Sequence, residues 1–253
     1  MKIFIKRFNN ESFEKNEKNE KNEKNEINEY KVKNTNLLQA LIEIKKETDS
    51  TLAFRCGCKS GVCGSCAVKV NGTEKLACKT NINDNDLIEP MNNTNIIKDL
   101  VVDVSHETLL IKKLNLTINS NIQSTEISQE NIKDIDLQSN CILCNSCHSS
   151  CPVYEVNKEF LGPFALTRAL RYVNDKKLVN KATIVDSIQT NGIWDCTLCS
   201  ACTLVCPQGI DPKADIMQLQ NISVQNGYSN PYTQNLDFNS FGDDFGGFNP
   251  NGF

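Results

Sequence analysis

Long apolar runs are missing from this chain of 253 residues, and that absence removes the first functional class. A membrane-spanning helix needs about 18 or more consecutive apolar residues, and the mean hydropathy is −0.39. Any work at a membrane is expected to come through a partner. An excess of basic residues is missing too: 27 Lys plus Arg face 31 Asp plus Glu, a net charge of −4. Without a basic stripe, no nucleic-acid partner is expected. Histidine is scarce, with His106 and His148 alone, and no Ser/His/Asp grouping is apparent. There is no G-x-G-x-x-G loop and no Walker lysine, so no nucleotide cradle is expected. The first residues, MKIFIKRFNN, lack the apolar stretch and small-residue cleavage site of a secretion signal.

Cysteine is what the chain has in quantity. There are 13, an odd number, in a chain that is not short. With no secretion signal expected, a disulfide framework is disfavoured. Five cysteines fall between Cys56 and Cys78, and eight between Cys141 and Cys206. Thiolates grouped this densely normally hold metal.

The pattern around them suggests an α+β chain. Residues 2–8, KIFIKRF, alternate and predict a strand; residues 29–33, EYKVK, predict a second. Between them Glu14–Glu26 repeats Glu, Lys and Asn without one apolar residue. Such a tract cannot repay its ordering entropy, so a long hairpin loop is expected. Asn36 or Thr35 predicts a cap for a helix over residues 37–46, with Leu37, Leu38, Leu41, Ile42 and Ile44 inward. Ala67–Val70, the turn Asn71-Gly72 and Leu76-Ala77-Cys78 read as a hairpin. Together these suggest a small β-grasp domain, closed by residues 95–104. Residues 113–139 are polar and read as a connection, with some helix near Ser128–Leu137. From Cys141 to about Val224 the pattern is helical, with the cysteine runs at its turns. Gly162-Pro163 opens one helix, with Phe164, Ala165, Ala169, Leu170 and Val173 on its inner face. The expected domains are 1–105, containing the low-complexity loop 14–26, then 106–225, then a flexible Asn/Gly/Phe-rich tail, 226–253.

Cys58, Cys63, Cys66 and Cys78 give C-x4-C-x2-C followed by a fourth cysteine, the spacing of a plant-type [2Fe–2S] loop. Four thiolates must hold two irons around a compact sulfide-bridged body, so the loop must curl with its N–H groups toward sulfur. Gly57, Gly61 and Gly64 permit that approach. A zinc site would more often use two C-x2-C pairs. Cys56 breaks the pattern and reads as a bystander. Cys141, Cys144, Cys147 and Cys151, then Cys196, Cys199, Cys202 and Cys206, both read C-x2-C-x2-C-x3-C-P, the spacing of a two-cluster bacterial ferredoxin. In that arrangement the fourth cysteine of each run serves the other cluster. Cys141, Cys144, Cys147 and Cys206 are therefore assigned to one [4Fe–4S] cluster, and Cys196, Cys199, Cys202 and Cys151 to the other. His148, inside the first run, is expected to be an exposed neighbour that tunes potential, and His106 to stand alone. No catalytic residue is expected. The chain reads as an electron wire.

The stretches FRCGCKSGVCGSCAVKVNG, LAC, IKDLVVDV, CILCNSCHSSCPVY, FLGPFALTRALRYVND and CPQGIDP resemble the iron–sulfur subunit of succinate dehydrogenase and fumarate reductase. The resemblance covers residues 2 to about 222. It implies an N-terminal plant-type [2Fe–2S] ferredoxin domain and an all-α bacterial-ferredoxin-like domain. It also implies electron flow between FAD, held only in a separate flavoprotein subunit, and a quinone or quinol pool at a membrane anchor. The chain would then be peripheral on the inner membrane through its partners. The cytoplasmic side is the default, and the periplasmic side follows if it is co-exported with a twin-arginine flavoprotein. Two departures stand out. Most members lack a cysteine at the position of Cys199 and hold a [3Fe–4S] cluster there. Cys199 favours a second [4Fe–4S] cluster, with [3Fe–4S] the alternative if it does not bind. Val156 and Thr197 stand where the family usually has a quinone-site Trp and often a His. Both departures resemble a variant group whose anchor is a cysteine-rich, heterodisulfide-reductase-like subunit. A thiol-linked fumarate reductase, or another flavoprotein dehydrogenase, is the alternative setting.

Overall fold

The computed structural model describes residues 1–8, 25–116 and 126–233. Strand β1 (Lys2–Phe8) buries Ile3 and Ile5 on one face, as its alternation requires. It pairs antiparallel with β2 (Asn25–Lys31) and parallel with β5 (Asp86–Glu89). The hairpin β3 (Ala67–Val70) and β4 (Thr73–Leu76) completes a five-stranded sheet of order β2-β1-β5-β3-β4. Asn71 and Gly72 both have positive φ, 51° and 80°, as a tight two-residue hairpin turn demands. Helix α1 (Leu37–Glu47) packs on the sheet with Leu37, Leu38, Ala40, Leu41 and Ile44 buried. Asn36 caps it by accepting the Gln39 N–H at 3.3 Å. Each Leu or Ile buried this way contributes about 1.5–3 kcal/mol of transfer free energy. A short ribbon, β6 (Ile96–Lys98) and β7 (Val101–Val102), closes this half.

Two details differ from the sequence reading. β2 begins at Asn25, inside the polar tract, because Phe8 and Arg7 of β1 pair with Asn25 and Glu26. The partner strand, not apolar side chains, sets its start. The rest of the repeat lies outside the described residues. Cys78 lies on a short 3-10 turn (Ala77–Lys79), not on the strand. Ala77 N–H donates to Cys66 C=O at 3.0 Å and Thr80 Oγ1 to Leu76 C=O at 2.8 Å, folding the chain back beside Cys66.

One ionic node anchors the cysteine loop to the sheet. Arg7 donates to Asp99 (2.8 Å), to Tyr30 Oη (2.7 Å), to Asp49 and to Thr51 Oγ1 (2.9 Å). Asp99 also accepts the Ala53 N–H at 2.8 Å, fixing the chain just before Phe54. Burial opposes ionisation of Asp49, but bonds from Thr51, Tyr30 and Arg7 hold its carboxyl well below the usual range.

The second half is helical. Helix α2 (Ser105–Lys113), a stretch to which the sequence reading assigned no element, buries none of its residues fully. Helix α3 (Gln129–Ser139) starts at a capping box made by Ser128 and Asn131. The short α4 (Ser146–Ser149) and α5 (Pro152–Val156) carry the first long cysteine run. Helix α6 (Pro163–Asn174) is the core element and buries the five expected inner residues together with Leu166, Thr167 and Tyr172. Helices α3, α7 (Lys181–Ser187) and α9 (Pro212–Gln225) pack against it, and α8 (Ala201–Leu204) packs against α4 and α9. Asp211 caps α9 through the Ala214 N–H at 3.1 Å. Beyond α9, Tyr228 Oη donates to Asp186 (2.8 Å) and Tyr232 Oη to Asp195 (2.6 Å), so residues 226–233 are tied down. The tail phenylalanines, Phe238 onward, lie outside the described residues.

Candidate iron–sulfur centres

The first cysteine loop, between α1 and β3, curls through positive φ at Lys59 (60°), Gly61 (81°) and Gly64 (70°). The curl aims backbone donors at sulfur. Cys58 Sγ accepts N–H bonds from Ser60 (3.4 Å), Val62 (3.3 Å) and Cys63 (3.3 Å). Cys63 Sγ accepts from Cys58 N–H at 3.3 Å. Hydrogen bonding by Ser60, Val62 and Cys63 pulls the Cys58 thiol down to about 5, so it rests as thiolate. Cys66 is buried beside Cys78, and burial pushes it up to about 11, with the Cys78 and Cys63 fields adding to the shift. The set thus has two exposed thiols and two buried ones. Cys56 is exposed.

The two later runs fold as copies of each other. Leu143 and Leu198 take positive φ (53° and 55°), as do Asn145 and Ser200 (63° and 68°). Asn145 and Ser200 are the left-handed caps of α4 and α8. Non-glycine residues with positive φ are uncommon. Finding the same pair in both runs points to one template, in which the chain wraps its thiols around a common kind of body.

The thiols fall into neighbourhoods. Burial raises Cys147 well above its ordinary value, with added fields from Cys144, Cys141, Cys202 and Cys206. Cys144 feels Cys206, and Cys141 feels Cys144 and Cys206. Burial raises Cys202 to about 12, with fields from Cys196, Cys151 and Cys199. Cys151 feels Cys199, and Cys196 feels Cys151 and Cys199. By these fields each run's fourth cysteine is a neighbour of the other run's first three. Among the described residues, no three His, Cys, Asp or Glu side chains converge tightly enough to hold one metal ion. These thiols are near enough to feel one another's charge.

Residues 2–108 match the family model described as a 2Fe-2S iron-sulfur cluster binding domain, and residues 138–210 match that of a 4Fe-4S dicluster domain. The chain is 37% identical over 204 residues to the fumarate reductase iron-sulfur subunit of Haemophilus influenzae, covering 73% of this chain and 80% of that one. The chain belongs to the fumarate reductase/succinate dehydrogenase iron–sulfur subunit family. It is 38% identical over 193 residues to the Escherichia coli O6:H1 fumarate reductase iron-sulfur subunit, covering 73% of this chain and 79% of that one. To the 8-methylmenaquinol:fumarate reductase iron-sulfur subunit of Wolinella succinogenes it is 34% identical over 211 residues, covering 78% of this chain and 66% of that one. Its fold matches a chain of the Mycobacterium smegmatis Sdh1 complex in the apo form, with TM-score 0.75 at 22% identity, covering 90% of this chain and 97% of that one. The chain is thus an electron-transfer subunit of an oxidoreductase complex.

A Cβ on Gly57 would lie 2.8 Å from Cys63 Sγ, so the loop has no room for a side chain beside its thiols. Gly64 is pressed against the second run. A Cβ there would lie 2.8 Å from Cys144 Cβ and 2.9 Å from Cys144 Cα and Ile142 C=O. The donor set is all thiol, as such clusters require. The residues fit.

Residues that the sequence did not single out hold these runs in place. Asn93, in the loop after β5, donates its amide to the carbonyls of His148 (3.2 Å), Ser149 (3.1 Å) and Cys151 (3.3 Å). The Asn92 N–H donates to Ser149 Oγ (2.8 Å), which donates to Glu74 at 2.7 Å. Gln208 reaches the Gly61 C=O at 3.1 Å. All of these bonds bridge the two halves of the chain. His148 corrects an expectation: it is 0% exposed. His106 is not alone but stacks on it, with ring centroids 4.3 Å apart, and Tyr154 covers it at 3.8 Å. Burial lowers His148 to about 3, so it is neutral.

Proposed function

We propose that the chain is a non-catalytic, three-centre electron relay within its oxidoreductase complex. Cys58, Cys63, Cys66 and Cys78 hold a [2Fe–2S] cluster. Cys141, Cys144, Cys147 and Cys206 hold a [4Fe–4S] cluster, and Cys151, Cys196, Cys199 and Cys202 hold a second [4Fe–4S] cluster. When bound, these clusters supply one-electron carriers. The observation that carries the reading is the continuity of the thiol sets: Gly64 of the first loop seats on Cys144, and Cys147 feels Cys202 of the next set. The chain's own residues set the geometry. The N–H groups around Cys58 stabilise thiolate, the interdomain bonds of Asn93 fix the Cys147–Cys151 crossing, and buried rings keep water from that segment.

The domain limits 1–105, 106–225 and 226–253 remain our reading, with α2 as the joint. One end of the relay meets an FAD-containing flavoprotein subunit. The other meets a membrane anchor or a cysteine-rich partner, through which electrons reach the quinone pool. Among the described residues no helix is long and apolar enough to cross a membrane, so attachment comes through partners on the inner membrane. One observation favours exit through a partner rather than a quinone pocket on this chain. Val156, at the end of the short helix after Cys151, is 86% exposed, and Leu204, two residues after Cys202, is 83% exposed. Both stand near members of the last thiol set in the chain, as bare surface. The test is to purify the chain anaerobically with its native partners and add succinate. Bleaching of the iron–sulfur absorption through a co-purified flavoprotein is expected. Absence of a flavoprotein, or clusters indifferent to succinate and to fumarate, would contradict the proposal.

A further inference from the structure

The two long cysteine runs place the same left-handed corner after their second cysteine, at Asn145 (φ 63°) and at Ser200 (φ 68°). The corners differ in what holds them. Asn145 is 2% exposed, and its side-chain amide is held from both ends by the first turn of α2. His106 Nε2 lies 3.0 Å from Asn145 Oδ1, and Asn145 Nδ2 donates to Glu107 Oε1. A carboxylate only accepts, so Glu107 fixes the amide with Nδ2 toward itself. Oδ1 then faces His106 and accepts the N–H of Nε2. The His106 ring also stacks on His148, further along the same run. Ser200 has no such grip. It is half-buried, and its side chain makes no hydrogen bond among the described residues.

Glycine takes a positive φ at no steric cost, and Asn is one of the few other residues that tolerate it. The amide of Asn145 is also buried, where an amide without partners would be costly. Next to it stands Ser146, 1% exposed, whose Oγ lies 3.4 Å from Cys144 Sγ. As a metal ligand Cys144 is a thiolate and can only accept, so the hydroxyl donates to it. We propose that Asn145 is a positioning residue of the first [4Fe–4S] set: α2, through His106 and Glu107, locks the Asn145–Ser146 corner and so keeps the Ser146 hydroxyl on Cys144. The proposal rests on the ligand assignment given above. Hydrogen bonds to the sulfurs help set a cluster's potential. The bond from Ser146 stabilises the more negative, reduced form more, so the lock raises the potential of this centre. It also slows the opening of the corner through which iron would leave. The second run, with Ser200 unheld, lacks the lock.

The test uses the full-length chain, prepared without oxygen. Each centre is read by electron paramagnetic resonance during a redox titration and during iron release to a chelator. Wild type is compared with Asn145→Gly, Glu107→Leu, Glu107→Gln and Ser200→Gly. Glycine keeps the φ of the corner and removes only the amide. In Asn145→Gly the first [4Fe–4S] centre should titrate at lower potential and lose iron about tenfold faster, the effect expected of two lost hydrogen bonds. Glu107→Leu, which lies outside the run, should move the same centre in the same direction. Glu107→Gln should stay near wild type, because its carbonyl still accepts from Asn145. Ser200→Gly should leave the second [4Fe–4S] centre as it is in potential and release rate. Unchanged potential and release in Asn145→Gly, at full iron content, would overturn the proposal and mean that Asn145 stands there for its φ alone. A Glu107→Leu chain like wild type would overturn it too, as would an equal loss at the second centre in Ser200→Gly. If Asn145→Gly loses the centre altogether, the two Glu107 variants decide by the same readings. A wild-type chain without that centre's signal would remove the ligand assignment, and the proposal with it.

Discussion

Gly64 shows how much a single position can decide. Its φ of 70° already disfavours any side chain, and a Cβ would strike the Cys144 backbone at 2.9 Å. Neither contact can relax cheaply, because the neighbour is main chain rather than the end of a flexible side chain. Gly64→Ala should therefore cost at least about 1–2 kcal/mol from the left-handed backbone alone, and separate the first loop from the second run. Denaturant unfolding should show the loss, and electron passage from the [2Fe–2S] centre to the next should slow. A variant with unchanged midpoint and unchanged rate would mean the seat is dispensable. The glycine's need was partly legible in the sequence, since a curled thiolate loop demands close approach. What it approaches was not, because Cys144 lies 80 residues away. His148 was misread for the same reason. Its burial is made by His106, Tyr154 and Phe164, which local pattern cannot place beside it.

Elements were legible where their signals are local. Asn36 caps α1, Asn71-Gly72 turns the β3–β4 hairpin, and Gly162-Pro163 opens α6, each by short-range chemistry. The start of β2 was not, because pairing to β1 rather than its own residues creates it. That register sets the limits of a deletion in the polar tract. Replacing residues 10–23 with a short turn leaves every β1–β2 pair intact, and loop-closure cost changes only slowly with length. Cluster content should be unchanged, and loss of the [2Fe–2S] absorption would show the tract to be structural. The loop after β5 matters more. Asn93 caps three carbonyls of the segment between Cys147 and Cys151 and also accepts from Lys158 Nζ at 2.9 Å. Each such bond contributes about 0.5–1.5 kcal/mol net. Asn93→Ala should speed iron release to a chelator from the two [4Fe–4S] sets while the [2Fe–2S] absorption persists. Equal release rates would reduce Asn93 to a surface loop residue.

At the scale of the whole molecule, two hydrophobic cores are joined where the thiols are densest. The bonds between the halves run through Glu74, Asn92, Asn93 and Gln208, all beside cysteine runs. These bonds lie on the path of the proposed relay, so relative motion of the halves would change the distance between its centres. The tail is a separate matter. Truncation after Thr233 keeps the Tyr228 and Tyr232 tethers and should spare the clusters. If its phenylalanines dock on a partner, that truncation weakens assembly of the complex, and undiminished co-purification would say they do not.

The central claim is a relay of three clusters with a ligand at every cysteine of both long runs, and Cys199 is where it is most exposed to test. The direct measurement is iron content together with electron paramagnetic resonance on full-length protein prepared without oxygen, wild type beside Cys199→Ser. The account predicts about ten irons in the wild type and little intrinsic [3Fe–4S] signal. In the serine variant it predicts a three-iron cluster of raised potential. A stoichiometric [3Fe–4S] signal in the wild type, indifferent to the serine change, would contradict it.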